Sequence, residues 1–382
     1  MLADMHCHFP MHRVDGEAAH AHVRDWWGRL GDRVKGEGFE LAARFFNDQA
    51  LNTGWRVSLD GLAAGEVGLV FSVLYWPFSE FELGSLHGAA PDRDAFELLM
   101  GQLDDVEAAL AAADPEGARY LVVRREGDLD ASAIRFVHCV EGGFHLGPEP
   151  GDVADQIRQL ADRGVFYITL AHLFFRQVAA DAPAIPALSD QQYNDLFAQP
   201  EQGLTELGRA AIAAMYERKV VVDVSHMRPD VIAATLDELD TLDPGRTFPV
   251  IASHVGVASA GPPGHAYNLT PETMRAIRDR GGVIGIICAQ HLLGQTATVH
   301  DSIAVLKRHI DAVAEALGDH RHTAIGTDLD GFITPTVEGL ESAANLSDLQ
   351  TWIGDLYPAD ADAILHGNAE RVTRTVLHQR GG

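Results

Sequence analysis

Six side chains of the kinds that bind divalent metals lie along this sequence, each closing an apolar, β-branched-rich run. They are His6 and His8 in DMHCHF, Glu141 in VHCVEGG, His226 in VVVDVSH, His254 in PVIASH and Asp328 in AIGTDLDG. Imidazole and carboxylate donors together suit zinc and other borderline divalent ions. His6 and His8 stand two apart on an extended run, so both point to one face and can share an ion. Glu141 is a carboxylate that is costly to bury unless it is paired or binds a cation; a capping or salt-bridged Glu is the plain alternative. As a ligand it can give one oxygen to each of two ions. His226 and His254 each follow a serine at the close of a hydrophobic run. One such histidine reads as a packed core residue, whereas two in consecutive runs at the same relative place read as ligands. Of Asp328 and Asp330, the first sits nearer the strand. It is placed to take a proton from metal-activated water and pass it to a leaving amine. Asp330 is expected to cap the next turn with Gly331. His172, in LAHLFF, either adds a ligand, donates to a developing oxyanion, or is simply a packed histidine. Asp4 and His12 stand close enough to serve as supporting partners.

Bringing these residues together requires strands that end at one rim. Eight strand candidates are present: 2–9, 67–75, 134–141, 165–173, 219–227, 248–255, 282–289 and 322–331. Most are continuous apolar runs, as in strands buried on both faces of a parallel sheet. Helical patterns fall between them at 103–114, 152–164, 205–219, 270–282 and 302–318. Thr205 and Thr270 are suited to N-caps, Pro271 to the first helical position, and Gly164 and Gly281 to stops. Strand–helix alternation over eight strands predicts an α/β fold of the (β/α)8, or TIM, barrel type. An open doubly wound sheet is the alternative, but no G-x-G-x-x-G follows the first strand. Two long segments break the rhythm: 10–66, with Trp26, Trp27, Phe45, Phe46 and Trp55, and 174–204, with Phe174, Phe175, Arg176 and Tyr193. Both follow strand C-termini, where such loops form lids or pocket walls.

The 382 residues fit one large barrel, so a single domain over 1–382 is expected. A formal net charge of −26 argues against binding to nucleic acid phosphates. The three lysines, Lys35, Lys219 and Lys307, follow no strand-like run, so any acid bridging two metals must be a carboxylate. Cys7, Cys139 and Cys288 lie in apolar runs and read as reduced core residues. The N-terminus lacks a basic region followed by an apolar one, and no apolar run reaches transmembrane length. A cytoplasmic protein without membrane contact is therefore expected.

The segments YITLAHL, GLTELGRAAIAAMYERKVVVDVSHM, PVIASH, NLTPETMRAIRDRGGVIGI, HTAIGTDLDG and ILHGNAERV, in this order and spacing, resemble the membrane (renal-type) dipeptidases, peptidase family M19 of the amidohydrolase superfamily. The resemblance runs nearly end to end. It implies a (β/α)8 barrel with two divalent ions, zinc first and manganese, iron or cobalt as alternatives, that hydrolyses dipeptides. It further implies that His6 and position 8 hold one ion, that Glu141 bridges, and that His226 and His254 hold the other. Asp328 becomes the general acid/base, and His172 polarises the scissile carbonyl or stabilises the tetrahedral intermediate. Many members are homodimers and some carry a lipid anchor. The sequence departs from the family at two places. His8 stands where the motif usually has Asp, which makes the site one unit less negative. Tyr267, before Asn268, stands where an Arg usually grips the substrate carboxylate, and a hydroxyl replaces a bidentate fork. Arg176, in LFFRQV, is the candidate replacement, giving Tyr267, Asn268 and Arg176 as substrate-binding candidates. Two other readings keep the barrel: an amidohydrolase acting on an N-acyl, lactam or modified amino acid without a free carboxylate, and a TatD-like metal nuclease.

Overall fold

The computed structural model describes residues 1–13, 55–80, 88–91, 93–186, 188–331, 333 and 335–381. The expected aromatic segment at Trp26, Trp27, Phe45 and Phe46 lies outside the described residues. Eight parallel strands close into a barrel. They are β1 (Leu2–Cys7), β2 (Val67–Leu74), β3 (Ile134–Glu141), β4 (Tyr167–Thr169), β5 (Val221–Asp223), β6 (Val250–Val255), β7 (Ile284–Ile286) and β8 (Thr323–Ile325). Each pairs with the next, and Asp4 of β1 sits opposite Ile325 of β8 to close the ring. A further short strand, Tyr120–Val122, lies along the first residues of β3. That edge is open because β4 pairs only with Val140 and Glu141 at the far end of β3.

Strand and helix positions follow the local chemistry. All eight residues of β2 and all six of β1 are buried, as a two-sided sheet requires. Thr205 and Thr270 accept the N–H groups of Gly208 and Thr273 at the starts of Glu206–Arg218 and Pro271–Asp279, with Pro271 in the first turn. Helix Val299–Leu317 opens with a reciprocal Thr298–Asp301 capping box. At the foot of the barrel, Val372, Val376 and Leu377 of the last helix share one apolar cluster with Ala3, Leu69, Phe71 and Val137. Cys7, Cys139 and Cys288 are buried free thiols, as expected.

The strands are shorter than the apolar runs suggest. The run 165–173 contributes only Tyr167–Thr169, and 219–227 only Val221–Asp223. The remaining apolar residues, such as Leu170, Leu173 and Val224, stay buried beyond the regular ladder, where Val224 N–H still bonds to Ile251 O and Leu170 O still accepts from Gly143. Thus His6, Glu141 and His254 lie in strands, while His8, His172, His226 and Asp328 lie in the turns just beyond. His226 and Asp328 take left-handed backbone, with φ of 64° and 58°. Histidine and aspartate are among the residues that tolerate this region, which turns the chain sharply inward at a strand end.

Candidate metal centre

Five imidazole nitrogens and two carboxylates meet at the C-terminal rim. The Nε2 atoms of His6 and His8 are 3.3 Å apart. His6, His226 and His254 bring Nε2 to 3.3, 3.4 and 3.4 Å from Oε1 of Glu141. His8 and His172 bring theirs to 3.2 Å from Oε2. Asp328 Oδ1 lies 3.2 Å from His8 Nε2 and 3.6 Å from His6 Nε2. Three groups each gather three ligand atoms within 4.8 Å: His6–His8–Asp328, His6–Glu141–His254 and Glu141–His172–His226.

This donor set fits divalent metal. Glu141 Oε1 and Asp328 Oδ1 are buried and accept no well-formed hydrogen bond. Burying an unpaired carboxylate costs several kcal/mol or about that order, so the pair calls for positive charge. The electrostatics agree. Burial opposes the charge of Glu141, but His172 and His6 outweigh it and hold its pKa well below the ordinary carboxylate range. Burial likewise opposes charge on His8, yet Asp328 and Glu141 push its pKa up to about 10. His254 and His226 are pushed down, by burial first and then by neighbouring imidazoles, which favours the neutral imidazole that can donate a lone pair. The protein thus answers its two carboxylates with protons where a cation would serve.

Hydrogen bonds behind the imidazoles fix which nitrogen faces inward. Asp223 accepts the hydroxyls of Thr169, Ser225 and Ser253 at 2.7, 2.9 and 2.6 Å and the N–H groups of Ser225 and Ser253. With its own proton given to Asp223, Ser253 Oγ accepts from His254 Nδ1, 2.8 Å away. Tyr167 donates its hydroxyl to Met5 O, so it accepts from His6 Nδ1 at 2.7 Å. Both histidines therefore present the Nε2 lone pair to the cluster. His172 Nδ1 meets Glu80 Oε2 at 2.5 Å. The Nδ1 atoms of His8 and His226 are buried without such a partner.

The neighbouring loops complete the rim. Asp4 accepts the hydroxyl and N–H of Thr327, at 2.6 and 2.8 Å, and so ties β1 to the turn carrying Asp328. Burial raises the Asp4 pKa to about 6. Asp330 departs from expectation. It accepts the backbone N–H groups of Arg56 and Val57, and the turn itself closes through Gly331 N to Asp328 O. Gly331 is required there because a Cβ would collide with the Asp328 carboxylate and the His8 ring.

A cavity of about 220 Å³ adjoins the cluster. Its walls are largely apolar, including Leu173, Phe174, Pro186, Ile287 and Leu292, with His226 and Asp328 reaching in from the metal side. Tyr267 also lines it, but its hydroxyl donates to His254 O at 2.9 Å and its ring stands edge-on to His226 at 4.8 Å. Of the two other residues expected to bind substrate, neither lines the cavity. Arg176 is buried and sends its guanidinium to the carbonyls of Ser79, at 2.7 Å, Glu80 and Ala90. It secures the end of helix Pro77–Glu80, whose last carbonyls need donors. Asn268 donates to Leu292 O at 2.9 Å and packs tightly on Gly256 and Gly261, so it anchors its loop.

Sequence reasoning missed Glu80, Asp223 and His291. The last is a cavity residue whose Nδ1 is buried without a partner, and whose pKa burial lowers to about 3. Asp223 carried a readable signal, since a carboxylate inside the apolar run VVVDV must be paired.

Comparison with known proteins gives a consistent picture. Residues 30–380 match the Membrane dipeptidase (Peptidase family M19) family. Mouse Dipeptidase 3 is 24% identical over 330 residues, covering 85% of this chain and 59% of its own length. The chain spans about half the length of the curated relatives it matches, between 42% and 59%. The crystal structure of dipeptidase AC, a family M19 metallopeptidase, superposes with a TM-score of 0.72 at 16% identity, covering 98% of each chain. A Rhodobacter sphaeroides metallopeptidase, liganded with a phosphinate mimic of L-Ala-D-Ala, superposes at 0.67 with 18% identity, covering 98% of this chain and 99% of that one. The expectation of a cytoplasmic protein is corrected by these findings, because the matching family is that of the membrane dipeptidases and includes rodent Dipeptidase 3. Among the described residues, no helix is long and apolar enough to cross a membrane.

Proposed function

The chain belongs to the membrane dipeptidase family, peptidase family M19, and from that premise we propose that it hydrolyses an amide bond in a dipeptide or related small molecule at the rim of its barrel. The observation that carries this reading is the convergence of five imidazole Nε2 atoms on Glu141, beside two buried, unpartnered carboxylate oxygens and an apolar cavity. In this proposal His6, His8 and Asp328 would hold one divalent ion and His226 and His254 a second, with Glu141 shared between them and zinc the first candidate. Bound there, the ions supply Lewis acidity and lower the pKa of water towards about 7.

The chain's own groups do the rest. Asp328 reaches both the ligand cluster and the cavity, so its carboxylate is placed to take a proton from the attacking water and deliver it to the leaving amine. His172 presents Nε2 beside Glu141 and, protonated on both nitrogens, donates from Nε2 to the oxygen that gains charge as the carbonyl is attacked. The apolar wall at Phe174, Tyr267 and Ile287 receives a side chain and excludes water. The proposal takes residues 1–382 as one domain and retains the homodimer implied by the family.

A second reading is favoured by a specific observation. Tyr267 occupies the place of the usual carboxylate-gripping Arg and spends its proton on His254 O, while Arg176 is committed to backbone carbonyls. Among the described cavity residues no cationic side chain replaces that grip. This supports an apolar N-acyl, lactam or otherwise modified amino acid without a free carboxylate as substrate. A panel of dipeptides, including D-residues, and N-acyl amino acids tests both. Zinc-loaded wild type is expected to turn over part of the panel, and Asp328→Asn to lose at least about a hundredfold in kcat when assayed at saturating zinc. Tyr267→Arg is expected to raise turnover of free dipeptides over blocked ones. A fully active Asp328→Asn protein removes Asp328 from its role, and an unchanged preference in Tyr267→Arg removes the carboxylate argument.

A further inference from the structure

Glu80 is a buried acid that neither the ligand set nor the cavity uses. It ends helix Pro77–Glu80, directly after β2, and is 0% exposed. Its carboxylate meets four donors. Oε2 accepts the Tyr75 hydroxyl at 2.7 Å and faces His172 Nδ1 at 2.5 Å. Oε1 accepts the backbone N–H groups of Leu173 and Phe174 at 3.0 and 3.2 Å. Tyr75 also packs edge-on against the His172 ring, with centroids 4.8 Å apart. On its other side the same ring brings Nε2 to 3.2 Å from Glu141. His172 thus spans two carboxylates, one behind it and one in the metal centre.

We propose that Glu80 is the positioning residue for His172, holding one proton on Nδ1 so that the Nε2–H edge faces the metal centre and the substrate carbonyl. A carboxylate is acceptor-only, so with both oxygens already engaged Glu80 can receive from His172 but never donate to it. This fixes the ring's orientation against a flip that would turn a carbon towards Glu141. Carboxylate–imidazole pairs behind metal centres orient the ring in the same way. Arg176 extends the support one layer further, because its guanidinium binds the carbonyls of Ser79 and Glu80 and so fixes the backbone from which the carboxylate projects. The alternative is that Glu80 merely anchors the chain after β4 through Leu173 and Phe174.

The inference rests on the functional reading of His172, so its test has one arm that needs no substrate. Zinc-loaded protein labelled with nitrogen-15 in histidine is compared with Glu80→Gln, and the His172 signal is assigned by its loss in His172→Asn. Wild type is expected to carry a proton on His172 Nδ1, and Glu80→Gln to lose it from that nitrogen, since an amide can donate where the carboxylate could not. A wild-type proton on Nε2 alone, or a signal unmoved by Glu80→Gln, overturns the proposal. The kinetic arm is a double-variant cycle. Glu80→Gln is expected to lower kcat about ten- to a hundredfold with KM and zinc content nearly unchanged, the range found for groups behind metal-site imidazoles. In the His172→Asn background the same change should add nothing, because Glu80 acts through His172. Losses that add in full show an anchoring role alone and overturn the proposal. Should wild type turn over no substrate, the functional reading fails while the spectroscopic arm still decides the role of Glu80.

Discussion

His8 shows how one residue sets the charge of the centre. Its Nε2 faces Glu141 and Asp328, and its Nδ1 is buried without a partner. An imidazole therefore contributes a ligand atom but no negative charge, and carries an orphaned nitrogen that an aspartate would not have. His8→Asp is expected to tighten zinc binding by about tenfold or more, equivalent to about 1.4 kcal/mol. Competition titration with a chelator measures this, and equal or weaker binding in the variant would show that geometry outweighs charge at this position. The six candidate ligands were legible because each closes an apolar run, where a polar side chain needs a reason to be buried. Glu80 was not legible. It lies in the short, mixed segment PFSE, and only the fold brings it to His172.

At the scale of elements, the strands were legible as apolar runs but their ends were not. Hydrophobicity marks what is buried, not what is paired. Leu170 and Val224, just past Thr169 and Asp223, are buried although the regular ladder has ended, and segment 170–186 bonds to the turn beyond Asp223 through Ala182 N–H and His226 O. That segment is held by a polar knot. Tyr193 Oη lies 2.7 Å from Leu173 O and 2.5 Å from Asp181 Oδ2, yet a phenol has one proton to give. A protonated Asp181 resolves this by donating to Tyr193, and burial accordingly raises the Asp181 pKa from 3.8 to about 7. The folded state then binds a proton that the unfolded chain releases. The stability from this group is full below the unfolded pKa of about 3.9 and is lost as pH rises through about 7. Asp181→Asn keeps a permanent donor at that place. The melting temperature of wild type is expected to fall relative to Asp181→Asn as pH is raised from about 5 to about 8. Parallel melting curves over that range would place the proton elsewhere.

For the whole molecule, the barrel was legible from eight runs alternating with helical patterns, and the ring closes through all eight. The extra strand at Tyr120–Val122 was not, because three half-exposed residues form no recognisable run. Nor could loop residues be sorted by function before folding. Arg176 and Asn268 look like substrate contacts in the sequence, and only their bonds to backbone carbonyls show what they hold. The seam between the first and last strands has a consequence for how the molecule comes into being. Asp4 bonds to Thr327 across 323 positions of chain, and the same seam brings His6 and His8 to Asp328. Contacts so distant along the chain carry a large loop-closure entropy and tend to form late. In the proposed centre, an ion held by His6, His8 and Asp328 would therefore have no complete coordination shell until folding is nearly over. In stopped-flow refolding with a zinc-responsive dye, zinc uptake is expected to track the slowest phase of tyrosine and tryptophan fluorescence, and uptake in the fastest phase would show an earlier-formed centre. Metal capture at the proposed centre would then be a record of completed assembly, available only to chains whose first and last strands have met.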